Sequence, residues 1–496
     1  MTRPPDASTD VSAPDRISIG VPGIDKILHG GLIPSRSYLV RGGPGTGKTI
    51  LGLQYLTKGT AQGETSLFIN LEEATADIEQ NAAALGFDLD GVHFLDLSPE
   101  SEFFAADRGY DLFGSSEVER DPMIEAITDR VTDLKPDRVF VDPITQLRYL
   151  AADHYQFRKQ TLSFMRLLSE QGATVLFTTQ ATDSEPDDDL QFMSDGMIEL
   201  VCTSTGRSID IPKFRGSDVE RGNHALTIDD GLVVYPELTP AIHERDFVKE
   251  SVSSGIPEVD ELLNGGLERG TVTVLSGPTG VGKTMTGTQF MKEAARRGDR
   301  SVIYLFEEAE ATFVQRSEAI NIPVTEMRER DTLIVEEIEP LSTSPQEFAQ
   351  MVRHEVEDRD ADIVMIDGIA GYKLSIRGDE EELVTKIHAL NRYLKNMGVT
   401  VILIDEVANV TGEFQATNVG ISYLADNIIF FRHLEFQGMM RKAIGVLKMR
   451  TSDFERTLRE FTITEQGLRV GEPLTDLRGI LSGTPEWTDS AEVENR

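Results

Sequence analysis

The chain has 496 residues, of which 39% are hydrophobic, enough for packed cores and too long for one ordinary domain. Its 48 basic and 84 acidic residues leave a net charge of -36, a field that opposes broad contact with nucleic acid but leaves room for a small basic channel. One cysteine, Cys202, excludes an intrachain disulfide and a cysteine-based metal site, and no apolar run reaches the roughly 20 residues that span a bilayer.

Residues 1–14 are rich in Pro, Asp, Ser and Thr, polar rather than signal-like, and expected to be disordered; the expected compartment is the cytoplasm. Acidic runs such as PDDD and EVEDRDAD suit a halophilic, salt-rich cytoplasm, with an acidic mesophilic protein as the alternative.

A first domain is expected over 15–240. Its strand Ser37–Arg41 enters GGPGTGKT, Gly42–Thr49, and a helix follows from about Lys48 to Lys58. Strand, glycine loop and helix are the context of G-x-x-x-x-G-K-[ST], whose backbone N–H groups surround phosphates. Gly43, Gly45, Thr46 and Gly47 form the candidate cradle for a nucleoside triphosphate. Lys48 is placed to reach the terminal phosphates, and the Thr49 hydroxyl to ligate magnesium.

The next strand, Thr65–Ala74, has an apolar run that ends at Glu72 and Glu73, where a carboxylate can orient or deprotonate an attacking water. Plain surface charge is the alternative. Leu97–Asp121 has no clear period and reads as an insertion or mobile loop. Strand Arg138–Val141 is closed by Asp142, the candidate second magnesium element. Helix Tyr155–Glu170 precedes strand Ala173–Gln180, with Gln180 a candidate phosphate sensor. In KFRG, Lys213 and Arg215 fall on one side of an extended segment, so both could reach one phosphate; a solvated edge is the other reading.

A linker over 241–249 leads to a second domain, 250–470, that repeats the first. Lys48 and Lys283 are 235 residues apart, as are Gly20 and Gly255, so the chain is a duplication. The second cradle is Gly277, Thr279, Gly280, Val281 and Gly282, followed by Lys283 for phosphate and Thr284 for magnesium. Glu307 and Glu308 close the acidic strand, Asp367 closes DIVMID, and Lys448 and Arg450 repeat the paired cations. Aligning Asp195 with Asp426 sets Gln191 opposite Ser422 and Phe192 opposite Tyr423. Ser422 and Thr417 are candidate phosphosites, because a hydroxyl beside a nucleotide can accept a phosphoryl group instead of water; capping and polar surface are the alternative. The tail, 471–496, is expected to be flexible and to offer a contact for regulatory protein partners.

GVPGIDKILHGGL and GIPEVDELLNGGLERG before the loops, LEEA and FEEAE at the acidic strand ends, and KFRG and LKMR together resemble the KaiC family of RecA-like ATPases over about residues 16–470. The resemblance, to an archaeal-type relative of the circadian clock ATPase, implies an α/β protein with two tandem RecA-like P-loop NTPase domains, each a mostly parallel sheet flanked by helices. It also implies a homo-oligomer, usually a hexameric double ring, with ATP and Mg2+ at subunit interfaces. Glu72 and Glu307 match the family's catalytic glutamate, with Glu73 and Glu308 beside them. Lys213, Arg215, Lys448 and Arg450 match residues that reach a neighbour's ATP. In the clock member the first domain hydrolyses ATP and the second phosphorylates a serine–threonine pair in trans. Ser422 matches that serine, Tyr423 replaces the threonine, and Thr417 matches an auxiliary threonine. The expectation is a KaiC-like regulatory ATPase with serine/threonine autokinase activity at Ser422. The alternatives are a DNA-stimulated recombinase or helicase motor, and a nucleotide-gated scaffold without turnover.

Overall fold

Short apolar runs form the centres of two sheets. SYLVRG, SLFIN, RVFVD and TVLFTT are buried almost end to end, the pattern of strands covered on both faces. The computed structural model describes residues 15–101, 116–148, 151, 153–179, 187–204, 206–376, 380–407, 421–436, 438–475, 477–478 and 486–487. Gln180, Thr417 and residues 1–14 lie outside these.

The chain divides into two units, Met1–Glu237 and Leu238–Arg496. The first unit's strands are β1 (Ser37–Gly42), β2 (Ser66–Asn70), β3 (Val92–Asp96), β4 (Arg138–Asp142), β5 (Thr174–Thr179), β6 (Gly196–Thr203), β7 (Gly206–Phe214), β8 (His224–Ile228) and β9 (Leu232–Tyr235). They lie in the order β3-β2-β4-β5-β1-β6-β7-β8-β9. Pairing is parallel as far as β6 and antiparallel beyond it.

The second unit begins with a small antiparallel pair, β10 (Ser251–Val252) and β11 (Leu267–Glu268). Its main strands are β12 (Val272–Gly277), β13 (Ser301–Leu305), β14 (Leu333–Glu337), β15 (Ile363–Asp367), β16 (Thr400–Glu406), β17 (Asn427–Phe436), β18 (Met439–Met449), β19 (Arg459–Thr464) and β20 (Gly467–Pro473). Their order, β14-β13-β15-β16-β12-β17-β18-β19-β20, repeats that of the first sheet. Both units are therefore α/β sheets, mostly parallel and flanked by helices, as tandem RecA-like domains require.

Alternation sends neighbouring residues of a strand to opposite faces, so each sheet separates two cores. In the first unit Phe68, Phe140 and Leu176 pack on one face, and Leu67, Val139 and Phe177 on the other. The strand order reverses around β1 and β12. In open parallel sheets the crevice at such a reversal is where ligands bind, beyond the carboxyl ends of the strands.

Three segments differ from their sequence reading. The helix Ser116–Leu134 begins inside the stretch read as a loop, because Met123, Ile127 and Val131 recur every fourth residue and are buried. The residues read as a linker bind the second unit. Arg245 N donates to Asn396 O at 3.0 Å and the ring of His243 meets that of Tyr393 edge-on, while just ahead of them the Asn396 side chain donates to Pro240 O at 3.0 Å. Order also continues past 470, since β20 runs to Pro473 and Leu474 N donates to Leu458 O at 2.7 Å. Farther along, Leu477–Arg478 and Glu486–Trp487 (β21 and β22) pair antiparallel.

One buried cation distinguishes the first unit. Arg138, at the start of β4, is fully buried and lies over the Tyr55 ring, 4.9 Å from its centroid. Its guanidinium donates to Ser18 O at 2.7 Å, Tyr55 O at 3.0 Å and Gln62 Oε1 at 2.8 Å, and pairs with Glu64. The second unit has apolar Ile363 at the start of β15. Arg138→Met would strand those acceptors and is expected to cost the first unit about 3 kcal/mol. Hydrogen exchange in denaturant should show earlier opening of residues in the first unit and no change in the second.

Candidate nucleotide site

In each unit the central strand hands over to a helix through a glycine in the left-handed region. Gly47 (φ 102°) precedes helix Lys48–Ala61, and Gly282 (φ 116°) precedes helix Lys283–Arg297. A Cβ would come within 3.0 Å of Leu232 at the first and 2.6 Å of Ile463 at the second, so backbone and space both demand glycine. A Cβ on Gly43, Gly45 or Gly280 would meet nothing within 4 Å. The loop is thus packed from below and open above, with N–H groups and the positive end of the helix dipole facing the opening. Thr279 is exposed at the rim and Gly277 is buried beneath it. Val281 is in the core, so only its backbone can meet a ligand; Thr46, its counterpart, is also buried and donates its hydroxyl to Gly43 O at 2.9 Å.

The loop lysines fold back on the loop. Lys48 Nζ donates to Gly42 O at 2.8 Å and Gly43 O at 2.9 Å; Lys283 Nζ donates to Gly277 O at 2.8 Å and Pro278 O at 2.9 Å. Burial lowers the pKa of both ammonium groups, opposed by Asp142 and then Glu72 in the first unit. In the second, Glu406, Asp367, Asp405 and Glu307 oppose it, in that order.

Each threonine after the lysine meets the aspartate that ends the neighbouring buried strand. Thr49 Oγ1 donates to Asp142 Oδ2 at 2.7 Å, and Thr178 donates to the other oxygen. Thr284 donates to Asp367. Register sets Ile404 where the first unit has Thr178, so this second hydroxyl is missing there. Burial raises both carboxyl pKa values, that of Asp367 to about 6. A hydroxyl beside a carboxylate is a hard-oxygen set that suits Mg2+. Among the described residues no group of three or more His, Cys, Asp or Glu makes a metal site alone, so the ion would complete its shell with phosphate and water oxygens.

Both glutamate pairs follow the strand next to that aspartate. Burial, then Asp142, Glu72 and Asp77, raise the pKa of Glu73. In the second unit the Gly371 N–H donates to Glu307 Oε1 at 3.1 Å, and Arg316 Nη2 lies 2.7 Å from Glu308 Oε2. Folding therefore brings Lys48, Thr49, Asp142 and the glutamates together in one unit, and Lys283, Thr284, Asp367 and the glutamates in the other.

The paired cations are not part of that cluster. Lys213 Nζ donates to Gln191 O at 2.5 Å and Ser194 O at 2.6 Å; Lys448 Nζ donates to Ser422 O at 3.0 Å and Ala425 O at 2.6 Å. Arg215 donates to Phe192 O at 3.4 Å and Arg450 to Tyr423 O at 3.0 Å, so the alignment of Gln191 with Ser422 holds in space. Arg215 N bonds Asp195 O, whose own N–H bonds Ser37 O, level with the start of β1. The glycine loop leaves the other end of β1, so the cations stand at the opposite sheet edge from their own loop.

Two cations that do touch the loops escaped the sequence reading. Arg207 Nε donates to Gly45 O at 3.4 Å and Lys442 Nζ to Gly280 O at 2.8 Å. They are again 235 residues apart, and that offset is the signal by which they could have been found.

The raised pKa of Asp367 has a signed consequence. In the nucleotide-free chain its ionised form costs stability above about pH 6, and the cost fades as pH falls toward the ordinary value of 3.8. Asp367→Asn is expected to stabilise the nucleotide-free second unit at pH 8 by about 2 kcal/mol, with little effect at pH 4. The same change should abolish the further stabilisation by magnesium and ATP, and thermal melts with and without nucleotide check both signs.

Comparison with known proteins follows the same duplication. The family model described as "ATPase: KaiC" matches residues 17–239 and again 252–475. A relative named circadian clock protein KaiC3, from Synechocystis, is 27% identical over 497 residues, covering 97% of this chain and 96% of its own. The circadian clock oscillator protein KaiC of Acaryochloris marina is 28% identical over 488 residues, covering 95% and 91%. That of Thermostichus vulcanus is 27% identical over 487 residues, covering 95% and 92%.

Proposed function

This chain belongs to the KaiC family of ATPases, and from that premise we propose that it is an oligomeric, Mg-ATP-hydrolysing regulator whose second domain is also a serine autokinase. The observation that carries the ATPase reading is the meeting of Lys48, Thr49 and Asp142, repeated as Lys283, Thr284 and Asp367, under an open glycine loop. In this reading the loop N–H groups and lysines bind the phosphates, and the Thr–Asp pairs hold Mg2+. Glu72 and Glu307, with Glu73 and Glu308 beside them, orient and deprotonate the attacking water.

The placement of Lys213, Arg215, Lys448 and Arg450 away from their own loop supports nucleotide at interfaces between chains, in a ring taken to be a hexameric double ring. Ser422 is half-buried, with its carbonyl held by Lys448, and is the proposed phosphoryl acceptor; Thr417 is the auxiliary candidate. Tyr423 in place of the family's threonine leaves an ordered two-site cycle out of this reading. A cytoplasmic, salt-adapted, archaeal-type setting and regulatory partners at the C-terminal tail complete the proposal. Among the described residues no helix is long and apolar enough to cross a membrane.

Glu72→Ala combined with Glu307→Ala is expected to lower ATP turnover about 100-fold or more while equilibrium ATP binding is retained. Unchanged turnover would contradict the hydrolytic reading. After incubation with ATP, intact-mass measurement should find one phosphate that Ser422→Ala removes; phosphate confined to other residues would refute the autokinase site.

A further inference from the structure

The two copies provide an internal comparison at the residues that would activate water. Helices Thr75–Ala84 and Glu310–Glu318 start from alanines with nearly the same backbone, φ -66° and ψ 143° at Ala74 against φ -68° and ψ 141° at Ala309. The helices therefore leave the glutamate pairs in the same direction, and residues 235 apart occupy corresponding turns. Arg316 is two turns into its helix and reaches back to Glu308 at 2.7 Å. The corresponding residue of the first copy is Asn81, which carries no charge. Thr312 corresponds to Asp77 and Glu310 to Thr75, so each copy has a first-turn carboxylate where the other is neutral.

The other glutamate of the second copy is held too. Gly371 N–H holds Glu307, at the start of helix Ile369–Ile376. In the first copy Asp142 is followed by a 3-10 segment, Ile144–Arg148, and Gln146 N donates to Pro143 O at 3.2 Å. Both carboxylates of the second copy are thus tied to protein donors on helices.

We propose that Arg316 is a positioning residue that holds Glu308 away from the attacking water and makes the second copy the slower hydrolase. The inference rests on the ATPase reading above. In hydrolysis a water oxygen bonds to the terminal phosphorus, the bond from that phosphorus to the bridging oxygen breaks, ADP leaves, and the water proton passes to a carboxylate. A carboxylate held by a guanidinium at 2.7 Å is less free to swing toward and orient the water. Bound ATP then persists longer at the interface, where the Ser422 hydroxyl of a neighbouring copy of the chain is the competing nucleophile.

The test uses the full chain with one site silenced at a time. Lys48→Ala isolates the second copy. Adding Arg316→Asn should raise its kcat about 3- to 10-fold with KM within about twofold, whereas Arg316→Lys should keep the slow rate. With Lys283→Ala isolating the first copy, adding Asn81→Arg should lower kcat by a similar factor. A kcat that is unchanged or lower with Arg316→Asn, in protein whose melting point is unaltered, overturns the inference. So does Arg316→Lys behaving like Arg316→Asn. The underlying ATPase reading fails separately, if Glu307→Ala leaves the isolated second copy's turnover intact.

Discussion

Both sites depend on one constraint, a lysine and an aspartate that folding strips of water side by side without pairing them. Lys48 and Lys283 are satisfied by carbonyls of their own loop, and Asp142 and Asp367 by threonine hydroxyls. Burial pushes both ions toward their neutral forms. On the reading proposed above, an anionic phosphate beside each lysine and a divalent cation beside each aspartate would offset that cost. The glycine loop makes this arrangement possible, because it is packed below and bare above. The sheet order then fixes where everything else can stand. Acidic strand ends share the loop's edge, and the paired cations at and just past the ends of β7 and β18 lie at the other.

The copies keep this frame and differ around it. The first is built over a buried arginine, Arg138, where the second has an isoleucine. The second copy adds Asp405 and Glu406 at the end of β16, near Lys283, where the register-matched residues of the first begin with Thr179. The second also ties Glu307 to a helix start and Glu308 to Arg316. Such changes leave the glycine loop and its lysine intact and fall on the residues around them.

Much of the frame was legible in the chain. A glycine loop between an apolar strand and a helix, and acidic residues closing buried strands, are local patterns, and the offset of 235 residues showed which features recur. What could not be read depended on contacts between distant segments. The stretch 241–249 is polar enough to pass for a linker, yet Arg245 bonds the Asn396 carbonyl and His243 packs on Tyr393, both in the second unit. The helix start at Ser116 was hidden among the charges of SEVERD, ahead of the apolar positions Met123, Ile127 and Val131. Val281 lies inside a phosphate-binding motif, but its side chain belongs to the core. Arg316 follows no motif, and its meaning appears only when its helix is seen to return it to Glu308.

The central claim is that each nucleotide is served by a loop from one chain and by cations from another. Subunit mixing tests it most directly. One variant, Lys48→Ala with Lys283→Ala, keeps the cations and loses both loops; the other, Lys213→Ala and Arg215→Ala with Lys448→Ala and Arg450→Ala, keeps the loops and loses the cations. Each alone should be inactive, and co-assembled chains should recover ATP turnover, because some interfaces would join an intact loop to intact cations. Mixed assemblies that remain as inactive as the separate variants would contradict the account.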